Sequence, residues 1–93
     1  MNNDEARAVL REHLVTWRTR SWTDLRALMG EEQVCELVGP SGVTYQVEIN
    51  VYWDDEAGGD LRVVGCIDDG GWRAFVPLRE DFILAPDGTF VNE

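Results

Sequence analysis

One uninterrupted alternation of apolar and polar residues, Val43–Trp53, most limits how this chain can fold. Every second side chain is apolar over these residues: Val43, Tyr45, Val47, Ile49, Val51 and Trp53. This is the period of a strand with one buried face and one wet face, as in an antiparallel sheet. The apolar face needs a second layer of structure to cover it. We therefore predict a sheet built around this strand and covered on one side.

The segment before Gly30 has a helical period instead. On one face of a helix over Asn2–Arg20 lie Ala6, Leu10, His13, Leu14 and Trp17. Asn2 is a suitable N-cap, with Glu5 in the reciprocal position of a capping box. Ser21 then begins a short second helix, which Gly30 ends. The apolar face of this helix carries Trp22, Leu25, Leu28 and Met29.

The remainder consists of short alternating runs separated by turn-forming residues. The predicted strands are Gln33–Val38, Val43–Trp53, Leu61–Asp68, Trp72–Leu78 with a continuation through Phe82–Leu84, and a last short strand, Thr89–Val91. The order predicts one α+β domain over residues 1–93. Its long N-terminal helix and short second helix pack on a four- to five-stranded antiparallel meander sheet.

Element lengths show that the first helix alone cannot cover this sheet. An eleven-residue strand reaches about 36 Å, whereas a seventeen-residue helix reaches about 26 Å. The sheet must therefore bend, or the second helix or a partner chain must cover the rest.

Charge restricts the class of partner. All eight basic residues are arginines, against 18 acidic residues, which gives a net charge of −10. Residues 1–29 hold five arginines and four acids, whereas residues 30–93 hold three arginines and 14 acids. A surface with this much negative charge repels phosphate groups. We therefore expect neither nucleic acid nor a membrane as a partner. The polar, acidic start and the lack of a long apolar run lead us to expect a cytoplasmic protein.

The cysteines and acidic loops do not form a metal-site or disulfide pattern. Cys35 and Cys66 are too few for a disulfide framework, and we expect both as reduced thiols in the core. The acidic loop 54–60 resembles a calcium loop, but its twelfth position is Gly65, where a bidentate glutamate is required. We interpret this loop and Asp68–Gly71 as solvated turns, and we expect no metal and no cofactor.

His13, the single histidine, has two interpretations. It is either a general base aimed into a pocket between helix and sheet, or an imidazole held by hydrogen bonds at the edge of the core. A pair with Cys35 or Cys66 is geometrically feasible, yet the sequence supplies no orienting third group or oxyanion hole. We therefore expect no enzymatic activity. Trp53 and Trp72 adjoin acidic, glycine-rich loops, where aromatic faces can bind sugars or cations, although core packing is their default role.

The segment Ile67–Leu78, followed by Asp81–Ile83 and Ala85–Phe90, resembles a small bacterial domain family of unknown function. The resemblance covers the C-terminal third of the chain and implies no particular chemistry. A long helix before a curved meander is similar to the cystatin-like cone of nuclear-transport-factor-like domains. That second resemblance implies a cavity between the helix and the sheet.

Two functional hypotheses follow. The first is a non-enzymatic module that forms a homodimer or binds another protein, because apolar strand surface exceeds what the first helix covers. The contact would use sheet surface or an edge that this helix leaves open. The alternative is a small-ligand binder with a pocket between the first helix and the concave sheet face. Its lining would be His13, Trp17, Tyr45 and Trp53.

Overall fold

The computed structural model describes residues 1–71 and 76–93, and these form two helices and a four-stranded sheet. The elements are α1 (Asn3–Trp17), α2 (Trp22–Ala27), β1 (Gln33–Val38), β2 (Thr44–Trp53), β3 (Leu61–Asp68) and β4 (Leu78–Leu84). Neighbouring strands are antiparallel and follow the order β1-β2-β3-β4, which is a meander. The predicted α+β architecture is confirmed. Within the described residues, neither helix is long and apolar enough to cross a membrane.

Both helices begin at the predicted N-caps. The Asn2 side-chain oxygen accepts a hydrogen bond of 3.1 Å from the backbone N–H of Glu5. The Ser21 hydroxyl does the same for the N–H of Asp24, also at 3.1 Å. Each cap satisfies one N–H of the first turn that lacks a partner within the helix. Because Ser21 starts a new helix, α1 ends at Trp17, three residues before its predicted end.

Gly65 lets α1 lie directly on β3. A Cβ atom on this glycine would stand 2.8 Å from Leu10 Cδ1 and 3.3 Å from Leu14 Cδ2, so any larger residue would force these packed side chains to shift. The helix packs over β3 and β4, at one side of the sheet. On the other side, Cys35 and Leu37 of β1 stay half-buried.

The alternation of β2 is confirmed along most of its length. Its inward side chains from Tyr45 to Val51 are buried, whereas Val43 lies in the preceding turn and is 41 % exposed. Trp53, at the far end, is half-buried against Trp22, with ring centroids 6.0 Å apart. The second helix therefore covers the end of the strand. β1 and β3 have the predicted bounds.

The C-terminal part differs from the prediction in two respects. β4 includes the expected continuation Phe82–Leu84, but the predicted strand Trp72–Leu78 falls mostly on residues 72–75, outside the described residues. The predicted last strand, Thr89–Val91, is wrong. A tight turn brings Phe90 back to the end of β4, where it forms one isolated bridge with Leu84.

The cysteines are free thiols, as predicted; Cys35 packs at the margin of the core, whereas the predicted core position of Cys66 is wrong. Both are half-buried. Cys66 alternates with Gly65 and Ile67, whose positions face α1, so its own side chain lies on the outer face of the sheet. Burial raises the pKa of Cys66, which disfavours its thiolate. Cys35 lies on the edge strand β1, where cover by α1 is incomplete.

Candidate functional site

An open groove of about 460 Å³ lies between α1 and β1. One wall belongs to the helix and consists of Val9, Glu12, His13 and Thr16; the other is formed by Leu37, Val38, Gly39 and Pro40. Directly beneath the helix, side chains fill the space around Gly65. The groove therefore lies beside α1 rather than under it.

The polar flanks of α1 explain why the groove opens on the β1 side. Arg7 Nη1 and Arg11 Nε both donate to Glu80 Oε1 on β4, at 3.2 and 3.0 Å. These bonds and the contact at Gly65 hold the helix towards β3 and β4. The opposite flank of the helix, with Glu12 and His13, faces β1 across the groove.

His13 lies in the groove wall and contacts two further side chains. The indole Nε1–H of Trp17 donates to His13 Nε2 at 3.2 Å, and Cys35 Sγ lies 3.7 Å from the same nitrogen. A nitrogen that accepts a hydrogen bond carries no proton, so the imidazole is neutral with its hydrogen on Nδ1. Burial lowers the pKa of His13, and the nearby charge of Arg20 lowers it further. The fold therefore keeps this side chain uncharged at neutral pH.

This arrangement favours the structural interpretation of His13 over the catalytic one. A general base needs a free lone pair aimed at its substrate, and a thiolate–imidazolium pair needs a protonated nitrogen towards the sulfur. The Trp17 indole occupies the nitrogen that faces Cys35. His13 therefore presents a neutral imidazole to the groove, and the buried Trp17 holds it from behind.

Tyr45 is fully buried and ties the β1–β2 turn to the start of α1. Its hydroxyl donates to Glu5 Oε1 at 2.7 Å, and Ser41 donates to Glu5 through both its hydroxyl and its N–H. Burial raises the pKa of Tyr45 to about 12, and the bond to Glu5 contributes in the same direction. The bonds from Tyr45 and Ser41 lower the pKa of Glu5. A Cβ atom at Gly39 would stand 2.6 Å from Glu5 Oε1, so this close contact requires glycine.

Trp53 lies at the opposite end of β2. It packs against Trp22, and the Arg26 guanidinium carbon stands 5.1 Å from its ring centroid. Eight residues along a strand separate Tyr45 from Trp53 by about 26 Å. Of the four residues predicted to line one pocket, the structure therefore brings His13 and Trp17 together. It places Tyr45 and Trp53 near opposite ends of β2.

The β1–β2 turn fixes which backbone groups of β1 point away from the sheet. Gly39 N–H donates to Val43 O at 2.8 Å, and Gly42, with φ +88°, closes the turn onto Gly39 O at 2.9 Å. Hydrogen-bonded and non-bonded pairs alternate in an antiparallel ladder. The backbone groups of Leu37, Cys35 and Gln33 therefore bond to β2. The N–H and C=O groups of Val34, Glu36 and Val38 therefore point to the free edge.

This edge has no partner within the part of the chain that the structure describes. β1 pairs with β2 alone, and no other backbone hydrogen bond among those residues reaches it. Val34 and Val38 are 58 % and 69 % exposed. Sequence reasoning missed the groove residues Val9, Glu12 and Leu37. The available signal was Gly65 inside an otherwise apolar strand, which marks a close backbone approach and so the side of the sheet that the helix covers.

A scan against protein-family models, a search of curated proteins and a search of solved structures found no match for this chain. The two resemblances noted from the sequence accordingly stay predictions, and the geometry of the groove and edge carries the functional argument.

Proposed function

We propose that this chain is a non-enzymatic protein-binding module that accepts an extended segment of a partner as a fifth strand beside β1. One observation carries the proposal: a strand with a free edge lies next to an open groove. In strand addition, backbone hydrogen bonds supply affinity, while pockets for alternate side chains supply specificity. The edge of β1 offers the backbone hydrogen bonds, and the groove offers a pocket for side chains.

The edge has the features that make a strand recruit another chain. Val34, Glu36 and Val38 direct outward backbone groups that have no partner in residues 1–71 and 76–93, and the two valines are among the more exposed large apolar side chains there. Proteins commonly protect such edges by charge, proline, bulges or cover. Within this regular strand of six residues, Glu36 is the single charged residue, and it lies between two exposed valines.

The groove suits the side chains of an added strand. Every second residue of that strand would project to the α1 side of the sheet, where Leu37, Val9 and the neutral His13 offer an apolar surface. A volume of about 460 Å³ accommodates one or two large side chains. Since the imidazole is neutral, an apolar side chain can contact it without burying a charge.

Groove volume also supports the small-ligand alternative. Known ligand pockets span about 300–1,000 Å³, and this groove falls within that range. Such pockets, however, enclose most of their ligand, whereas this groove is open along β1. An extended segment uses both the groove and the backbone edge, which a small molecule would leave unpaired.

The test starts with selection of random twelve-residue peptides displayed on phage against the folded domain. Each selected peptide is then measured on Val34→Pro and on the matched control Val34→Thr. Proline removes an N–H that points to the free edge and leaves the ladder with β2 intact, whereas threonine keeps that N–H. We expect Val34→Pro to weaken binding about tenfold or more, with Val34→Thr close to wild type.

Two further measurements complete the test. Circular dichroism and thermal melting confirm that both variants fold, and peptides N-methylated at alternate residues test the edge without changing the protein. We expect one set of alternate N-methyl groups to abolish binding and the other set to be tolerated. Equal binding to both variants, together with equal tolerance of both methylation sets, would exclude strand addition. A small molecule that binds at His13 with equal affinity in wild type and Val34→Pro would favour the alternative.

A further inference from the structure

The charges around β1 indicate the chemistry of the segment that pairs with this edge. This inference rests on the proposed function. We infer that the partner segment carries a lysine or arginine between two apolar residues at alternate positions. The occupant is thus a mainly apolar segment of another protein that carries this basic residue, rather than an acidic segment or a second copy of this chain.

The outer face of β1 sets this pattern. Its exposed side chains follow the order Val34, Glu36, Val38, with the carboxylate between two valines. A strand paired with β1 places its own side chains directly opposite these three, where opposite charges attract and like charges repel. Gln46 Nε2 donates to Glu36 Oε1 at 2.9 Å, which orients the carboxylate and leaves the second oxygen open to a cation.

Further acidic residues border the same site. Glu12 is exposed in the groove wall, and Glu31 and Glu32 are exposed immediately before β1. None of the ion pairs among the described residues involves these three or Glu36. Among the described residues, Arg20 lies near the groove, with its guanidinium carbon 4.0 Å from the Trp17 ring centroid, and Arg79 lies on the outer face near Cys66. Acidic side chains therefore outnumber basic ones around the edge and groove.

The described arginine pairs lie elsewhere. Glu80 receives Arg7 and Arg11, whereas Arg62 bonds to Asp54 and Asp81. These pairs neutralise acidic residues of β4 and of the loop after β2, and none of the ion pairs among the described residues includes a glutamate beside β1. A basic segment would supply the counter-charge at the strand edge to which it pairs.

A second copy of the chain fits this edge poorly. In the symmetric antiparallel register that pairs Val34 with Val38 of a second copy, Glu36 lies opposite Glu36 of that copy. Two carboxylates directly opposite each other destabilise a strand pair. Both copies also bring the same acidic border, so long-range repulsion opposes their approach.

The experiment repeats the peptide selection on three proteins: wild type, Glu36→Lys and the matched control Glu56→Lys. Glu56 is exposed in the loop beyond β2, so its substitution changes net charge equally and leaves the edge unchanged. In wild-type selections we expect basic residues to exceed acidic ones about fivefold at the position opposite Glu36. Glu36→Lys should invert this ratio, and Glu56→Lys should keep it.

The outcomes separate this inference from the proposed function. Peptides that depend on the edge but show no charge preference, or the same preference on all three proteins, would overturn the inference and leave strand addition standing. If no selected peptide binds Val34→Pro more weakly than wild type, strand addition itself is overturned. A dimer mass in light scattering that Val34→Pro converts to a monomer mass would identify a second copy as the occupant, contrary to the inference.

Discussion

Gly65 is the residue that sets the distance between α1 and the sheet. Leu10 and Leu14 occupy the space that a side chain would need. We predict that Gly65→Ala lowers the free energy of unfolding by about 1–3 kcal/mol, the usual cost of overpacking, as measured by urea denaturation.

A double-mutant cycle with Leu10→Ala provides the control. That single variant removes buried apolar volume and should cost about 2–5 kcal/mol. Because the shortened side chain makes room for the new methyl group, the double variant should lose less than the two single losses together. Additive losses would show that Gly65 and Leu10 do not contact each other.

His13 should make stability depend on pH in the mildly acidic range. Its folded-state pKa lies below the ordinary 6.5, so the unfolded chain binds more protons between the two values. The contribution is complete above the unfolded pKa and is lost as pH falls through the folded one. We predict that the free energy of unfolding falls as the pH is lowered through and below the ordinary histidine pKa of 6.5.

His13→Gln is the matched variant, since glutamine can still accept the indole hydrogen bond from Trp17 and has no proton to gain. Its free energy of unfolding should change much less over the same range. Carboxylates with lowered pKa values, such as Glu5, lose their contribution to the free energy of unfolding at lower pH than His13 does, so they do not obscure its effect. An equal slope in wild type and His13→Gln would assign the pH dependence to other groups.

Among the elements, the β1–β2 turn and the start of α1 form one hydrogen-bonded unit. Tyr45→Phe removes the buried hydroxyl that donates to Glu5, and we predict a loss of about 1 kcal/mol in unfolding free energy. Faster hydrogen exchange at Ser41 N–H, which also bonds to Glu5, should accompany the loss. Tyr52→Phe, on an exposed tyrosine of the outer face, should change neither quantity.

The bounds of the elements were largely predictable, because each follows from local chemistry. Asn2 and Ser21 cap the helices, and glycine-rich turns separate runs of alternating residues. The prediction of the last strand was wrong because pairing with β4 depends on where the chain returns after its turn. Thr89–Val91 alternates correctly but meets β4 at one pair only.

The candidate site was less predictable, since it depends on how α1 lies across the sheet. His13 and Trp17 share a helix face, so their proximity followed from the helical period. Tyr45 and Trp53 share a strand face, which does not bring them together because the strand is long. The groove arises from the position of α1 over β3 and β4, and that position depends on Gly65 and on Glu80.

At the scale of the molecule, the two sides of the sheet differ in cover and charge. On the β4 side, α1 packs closely and arginines pair with acidic residues. On the β1 side lie a groove, a backbone edge and four glutamates, and neither the edge nor these glutamates have a strand or ion-pair partner among the described residues. These features give a partner strand a place to pair and a charge to recognise.

Amide hydrogen exchange along β1, with and without a selected peptide, tests strand addition most directly. We predict that the peptide slows exchange about tenfold or more at Val34, Glu36 and Val38, whose N–H groups point to the free edge. Cys35 and Leu37, which already bond to β2, should change much less. Slowing at all five residues alike, or at none of them while the peptide is bound, would contradict the account.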